Sequence, residues 1–388
     1  MKSSILTFFL SLILAATLAH GVTNVVLPAN AQAAIDAAQD GDSIGLLPGA
    51  VGTLTITNKE IILKAQGDTP PVISKIQSTR SNLTLIGLNV AEMNATQYGG
   101  GLSKLVVHGG KYGRITSAVS DARISYAEAN YLSLSDRAVV TACELDGSTQ
   151  HFQNVGLGFE IGIDVHGNNT QATIRNSRIW NYNAHASSAT EKFIGIRLRD
   201  NSSSTIHNNL VYDCYDSHGH GTEINCGMGI FVKSPAVATI VGNAIWGCYV
   251  REGGTGTGNR LIGSDGSAYV RNNFFWKKPV DRVYSAFVSS GLLTGNLTEN
   301  NQSAVVFQNL AAGNFQPSSA SRLINAGPEG TEYNDRDGSR NDIGMFGGHD
   351  YIPNGRNSTK PVVISLELPI AVPRNGTATI KSTGATLK

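Results

Sequence analysis

The middle of the chain repeats one short unit, and that repetition narrows the fold more than any other feature. "GIDVHGNNTQATIRNSRIWNY" starts at Gly162, "GIRLRDNSSSTIHNNLVYDCY" at Gly195 and "GIFVKSPAVATIVGNAIWGCY" at Gly229, with a looser copy, "LIGSDGSAYVRNNFFWKK", at Leu261. Ile174, Ile206, Ile240 and Val270 lie 32, 34 and 30 residues apart. Each is followed by a polar turn position (Ser177, Asn209, Asn243, Asn273) and then by an aromatic (Trp180, Tyr212, Trp246, Trp276). The units read as strand, turn, strand, with no helical periodicity between them. Coils that stack at ~4.8 Å bring equivalent residues into columns. An Asn at each turn then hydrogen-bonds its neighbour along the axis, and it tolerates the left-handed backbone that tight turns need. A sandwich or a propeller requires hairpin signals or blades of regular length, and the sequence has neither. These observations predict an all-β chain, a single-stranded parallel β-helix or solenoid.

Shorter units precede these four. "LTLIGLNV", "KLVVHGGKYG", "ARISYAEA" and "AVVTACELDG" align Ile86, Val107, Ile124 and Val140 at spacings of 21, 17 and 16. Glycine, 43 of 388 residues, is well above the usual ~7%, as suits a chain of many tight turns. The first 21 residues, "MKSSILTFFLSLILAATLAHG", have one Lys, an apolar run from Ile5 to Leu18 and then small residues. That is the layout of a secretory signal peptide, and the run is too short to span a bilayer comfortably. The expected location is therefore outside the cytoplasm: extracellular, periplasmic or on the cell surface. Removing Lys2 leaves 29 basic residues against 29 acidic ones, so bulk charge provides no hold on nucleic acid. Any charged polymer has to be met by a local cluster. Residues 22–348 are assigned to the solenoid, with a short amphipathic helix over 29–38 capping its first coil. Residues 349–360 read as a linker. Residues 361–388 hold two strand-like runs, too few for a core of their own, and suit protection of an exposed edge. The protein is expected to be a monomer.

The chain resembles the right-handed parallel β-helix superfamily that includes the pectate lyases and related polysaccharide-active proteins. The repeats carry the resemblance, together with the opening "ANAQAAIDAAQDGDSIGLLPGAVGTLTITNKEIILKAQ" and the closing "SRLINAGPEGTEYNDRDGSRNDIGMFGG". It covers nearly the whole mature chain. It implies a right-handed coil and a substrate groove beside the strand that begins each long unit. The extra length of these units lies at one place, Asn183–Ile194, Asp216–Met228 and Val250–Arg260, which would form the groove wall.

Strand alternation selects the side chains facing that groove. Ile163, Val165, Ile196, Leu198, Ile230 and Val232 point inward. Two outward columns remain: Asp164–Arg197–Phe231 and His166–Arg199–Lys233. Potentially cationic groups ~5 Å apart repel by roughly 3 kcal/mol per pair at an effective dielectric near 20, and an anionic ligand would relieve this. The bland alternative is a solvated face partly neutralised by Asp164, Asp200 and Glu191. In lyases of the family, β-elimination on a uronic acid uses a cation to neutralise the carboxylate and an Arg or Lys of lowered pKa as base. The resemblance thus implies Lys233 as first and Arg199 as second candidate base. Arg197 would neutralise the carboxylate, His166 would assist proton transfer, Asp164 and His220 would contact substrate, and Phe231 would stack on a sugar face.

Calcium is the cofactor the resemblance implies, with Asp200, Asp213 and Asp216 as candidate oxygen ligands. The Gly-His-Gly at Gly219–Gly221 is similar to that of β-helix polygalacturonases, although the aspartates needed for acid and base are incomplete. Cys214 and Cys248 occupy one column, at a coil spacing compatible with a disulfide. Cys226 closing back to Cys214 is the alternative pairing, and Cys143 is expected to stay buried and free. The leading expectation is a polysaccharide lyase. A non-catalytic carbohydrate-binding or structural β-helix is the alternative, and a polygalacturonase-like hydrolase the second.

Overall fold

A computed structural model describes residues 23–97, 103–148, 160–184, 193–216, 227–250, 260–276, 284–299, 307–352, 362–367 and 381–385. Twenty-six strands form one continuous sheet in which each strand pairs in parallel with its counterpart on the next coil. The chain is a right-handed parallel β-helix. The first coil is capped by a 3-10 turn, Pro28–Asn30, and an α-helix, Ala31–Ala37, which buries Ala31 and Ile35. The solenoid and its helical cap thus agree with the sequence expectation.

Each long coil has three faces. The first holds Ile161–Val165, Ile194–Leu198 and Ile230–Val232; the second Gln171–Arg175, Ser203–His207 and Val237–Val241; the third Arg178–Trp180, Leu210–Tyr212 and Ala244–Trp246. Ile174, Ile206, Ile240 and Val270 stack in register and are fully buried. Farther upstream the alignment differs from the sequence reading by one residue. Leu85, not Ile86, stacks on Val107, while Ile86 pairs with His108 on the outer side. Both residues are apolar, so composition alone did not distinguish the inward one.

The lengthening of the coils has a simple structural origin. In the early coils one eight-residue strand, such as Lys111–Ala118 or Glu128–Ser135, runs around the corner from the third face onto the first. The start of Glu128–Ser135 pairs with Glu144–Asp146, and its later part pairs with Ile161–Val165. Later coils open this strand at the corner and insert a loop. The departing segments Asn183–Ala184, Tyr215–Asp216 and Tyr249–Val250 stack as a small parallel sheet of their own. Residues 185–192, 217–226 and 251–259 lie outside the described part of the chain, as do residues 1–22 and 353–361.

The corner between the second and third faces keeps the coils in register. Asn209 Nδ2 donates to Asn243 Oδ1 (2.9 Å), Asn243 Nδ2 to Asn273 Oδ1 (2.9 Å), and Asn273 Nδ2 to Asn296 Oδ1 (3.1 Å). The same carbonyl oxygens accept the backbone amides of Asn209, Asn243 and Asn273 from the coil before. Ser177 continues the ladder downward, accepting the amide of Cys143 and donating its own amide to Asn209 Oδ1. The left-handed residue is not the ladder Asn but the one preceding it: Asn176, Asn208, Gly242, Asn272 and Gly295. Division of labour explains the paired Asn-Asn and Gly-Asn steps, since one residue turns the chain and the next fills the interior with a planar amide.

After the last coil, residues 307–352 fold back over the third face. Phe307 and Phe315 pack on Tyr212 and Trp246. Side chains at the left-handed positions hold this segment: Asn176 donates to the carbonyls of Met345 and Gly347, and Asn208 to those of Asp342 and Gly344. Val362–Glu367 and Lys381–Ala385 form a separate antiparallel pair.

Asn243→Ala would leave the buried Asn209 amide without its acceptor and cut two ladder bonds. The expected loss is about 2–4 kcal/mol of stability, read as a lower urea midpoint. Asn201→Ala, at an exposed position, should change the midpoint by less than about 0.5 kcal/mol equivalent.

Candidate functional site

The two outward columns of the first face form as the alternation requires. Ser133, Asp164, Arg197, Phe231 and Gly263 are consecutive register partners. His166, Arg199 and Lys233 follow their strands one position beyond Val165, Leu198 and Val232, their amides donating to Leu134, Val165 and Leu198 carbonyls respectively. The residues beneath them, Ile163, Val165, Ile196, Leu198, Ile230 and Val232, are fully buried.

One carboxylate organises the charges. Asp164 is 2% exposed and accepts Arg197 Nε at Oδ1 (2.9 Å) and Arg197 Nη2 at Oδ2 (3.0 Å). Arg199 approaches the same carboxylate with Nε (3.3 Å) and Nη2 (3.2 Å), and reaches Asp200 at 3.4 Å. Burial by itself pushes the Asp164 carboxyl up, but its hydrogen bonds and attraction to Arg197 and Arg199 outweigh that and hold it below its ordinary value. The Arg column therefore needs no external anion to relieve its repulsion, because Asp164 divides its charge between both guanidinium groups.

This arrangement corrects the role expected of Arg199. Partial burial favours the neutral form, yet the bonds to Asp164 prevail and raise its pKa, opposite to what a base requires. Phe231 is a second correction. It stands in the expected column but is 1% exposed, packed with Ile194, Met228 and Ile161. Gly263 in the next coil leaves room for this: a Cβ there would lie 2.5 Å from Met228 Sδ. The ring serves packing and is not presented for stacking on a sugar. Lys233 is half-buried at the end of its strand, where its carbonyl accepts the Ala236 amide.

His166 Nε2 lies 2.8 Å from Ser133 Oγ. Burial lowers its pKa, partly offset by attraction to Asp164, so the imidazole is neutral near pH 7. Two further residues belong to the site, Ser133 and Tyr131. The Tyr131 phenol is pushed up by burial and by the Asp164 charge. The outward pattern Tyr131-x-Ser133 was present in "EANYLSLS". Its relation to Asp164 became visible only once the coils were registered across the intervening segment.

Of the implied calcium ligands, Asp200 and Asp213 stand at different corners. Asp200 sits at a left-handed turn and accepts the Gly167 amide (2.8 Å). Asp213 is a left-handed residue at a different corner, and the side chain of Asp216 lies outside the described atoms. Among the described residues no three His, Cys, Asp or Glu side chains converge as metal ligands. His220, Glu191 and Cys226 also lie outside the described residues. In the closing segment, Asp337 caps Ser339 and Asp342 accepts the Asn325 amide, so these acids serve turns.

The expected Cys214–Cys248 bond is absent, and both are buried free thiols. Each sulfur is directed to a carbonyl of its own coil, Cys214 to Tyr212 (3.6 Å) and Cys248 to Trp246 (3.2 Å). Stacked side chains point in parallel, not toward each other. Burial, then hydrogen bonding to Cys248, pushes the Cys214 thiol well above its ordinary value. Since Cys214 is unbridged, the alternative pairing with Cys226 is also not formed. Cys143 is buried as expected, its sulfur 3.5 Å from the Ile124 carbonyl.

No protein-family model and no curated protein matches the chain. Among solved structures, the crystal structure of pectate lyase Pel9A aligns with 86% of this chain and 98% of that one, at a TM-score of 0.47 and 14% sequence identity. At that level the likeness carries nothing about chemistry, which rests on the side chains themselves.

Because Asp164 has a lowered pKa, the stability it contributes is complete above the unfolded value of about 3.9 and is lost as pH falls through the lower folded value. Asp164→Asn should therefore cost about 3 kcal/mol at pH 7, since it removes the buried carboxylate that the half-buried Arg197 and Arg199 share. It should also flatten the acid limb of a stability-versus-pH profile measured by urea unfolding.

Proposed function

We propose that the outward side of the first face binds an acidic polysaccharide and acts on it by β-elimination. The carrying observation is the Asp164 clamp, which holds the Arg197 and Arg199 guanidinium groups beside Lys233 in adjoining columns. Arg197, Arg199 and Lys233 against Asp164 and Asp200 leave one net positive charge. Guanidinium forks held from below are pre-organised to meet a carboxylate from above.

In this reading a uronate carboxylate lies against Arg197 and Arg199, which stabilise the negative charge that develops as the C5 proton leaves. Lys233 is the base that takes that proton. The electron pair forms the C4–C5 double bond and the C4–O glycosidic bond breaks. His166, oriented by Ser133, is placed to hand a proton along to the leaving oxygen. Arg199 acts as a cation in this scheme, in keeping with its raised pKa.

A hydrolase is less well supported. Acid and base catalysis on a glycoside needs a carboxyl pair facing the bond, whereas Asp164 is engaged by two arginines and Asp200 by a turn amide. A non-catalytic binding face shares the same geometry and differs only in the outcome of an assay. The mature protein should be incubated with polygalacturonate, alginate and glycosaminoglycans, with calcium and with a chelator, while the absorbance of unsaturated product is followed. Elimination predicts that absorbance, and Lys233→Ala should lower the rate by about 10²–10⁴. Binding without product would assign the face to recognition alone, and reducing ends without absorbance would assign hydrolysis.

A further inference from the structure

A second cleft, on the third face, has no part in the chemistry above. Its volume is about 420 Å³, and it lies between the stacked aromatics and the closing hairpin segment Leu310–Phe315. That volume falls within the roughly 300–1,000 Å³ of small-ligand sites. The aromatic column runs along it, Trp180, Tyr212, Trp246 and Trp276 following one another at 6.1, 4.8 and 6.0 Å. Tyr212 and Trp246 are largely covered by Phe307 and Phe315, so Trp180 is the partly exposed ring that a ligand meets. Each of these rings comes from a different coil, so the platform runs along the solenoid axis.

The rim is polar and held in place. Arg178 donates to the Tyr212 hydroxyl through Nε (2.9 Å) and Nη2 (2.7 Å), with its guanidinium carbon 4.0 Å from the centre of the Trp180 ring. Nη1 is left outside that pair. Asn181 and Asp213 are both in left-handed conformation at the same corner, and both line the cleft with partly exposed side chains. Trp276, 8% exposed, lines the cleft as well, and its indole N–H has no hydrogen-bond partner among the described residues.

We infer that this cleft is a binding subsite for a neutral oligosaccharide. Aromatic side chains combine an apolar surface with a polar edge, as a sugar ring itself does. An Arg, an Asn and an Asp at one rim supply donors and acceptors for neighbouring hydroxyls. Arg178 faces Asp213 there, and Asp146 stands behind the rim as the acceptor of Asn181 Nδ2 (3.2 Å). No excess positive charge therefore draws a uronate, and an uncharged polyol suits the rim better. The subsite is on a different face from the Asp164 clamp and needs no chemistry there.

All three tryptophans of the chain line this cleft, so intrinsic tryptophan fluorescence reports on it and on no other site. The mature protein should be titrated with cellohexaose, xylohexaose, mannohexaose and galactohexaose at up to millimolar concentrations, and separately with hexagalacturonate. A saturable change in emission with at least one neutral probe is expected. Trp180→Ala should weaken that binding about tenfold, the worth of one aromatic contact, as read by calorimetry. Asp213→Asn, which keeps the left-handed backbone accessible, should also weaken it while leaving the circular dichroism and melting temperature in place. No saturable change with any neutral probe, a response to hexagalacturonate alone, or full affinity in Asp213→Asn and a folded Trp180→Ala would each overturn the assignment. The readout is separate from unsaturated product, so failure here and failure of elimination at the first face are distinguishable.

Discussion

Coil-to-coil register is the constraint on which everything else rests. The outward columns, the aromatic platform and the Asp164 clamp exist only because residue n of one coil sits directly over its counterpart on the next. Backbone pairing allows slippage, since any parallel strand accepts a neighbour displaced by two residues with its faces unchanged. The buried asparagine ladder does not. Its amides reach both the backbone and the side chain of the adjacent coil, so a displaced coil would strand several polar groups in the interior at once.

The same device divides the molecule into scaffold and variable parts. The corner between the second and third faces is short and densely hydrogen-bonded, and the closing segment is tied to it through Asn176 and Asn208. The corner between the third and first faces is where eight-residue strands open and loops enter. Chain length is thus absorbed beside the first face without disturbing the ladder on the opposite side. Site chemistry sits next to the permissive corner, on strands held by the rigid one.

Electrostatics on the first face show how a buried anion changes the meaning of a basic cluster. Considered alone, Arg197, Arg199 and Lys233 suggest mutual depression of their pKa values. With Asp164 nine-tenths and more enclosed beneath them, Arg199 becomes a firmer cation and loses the capacity to act as a base. On the proposed reading the value of the two arginines is as a fixed template for a carboxylate, with Lys233 as the base.

The period of the apolar residues and the strict alternation of strands were legible in the sequence. They were enough to predict a parallel β-helix, the inward set from Ile163 to Val232 and the register of both outward columns. These are properties of a backbone whose side chains alternate with period two and whose coils repeat. The choice between Leu85 and Ile86 was not legible, because both neighbours are apolar. Nor were the partners of Asp164, the burial of Phe231 under Met228, the parallel thiols or the aromatic cleft against Phe315. Each depends on which side chain reaches which from a coil some 33 residues away, or from a closing segment more than a hundred residues away. Sequence periodicity determined where residues stand; tertiary packing decided which of them are covered, paired or open to a ligand, because those depend on contacts that no local pattern encodes.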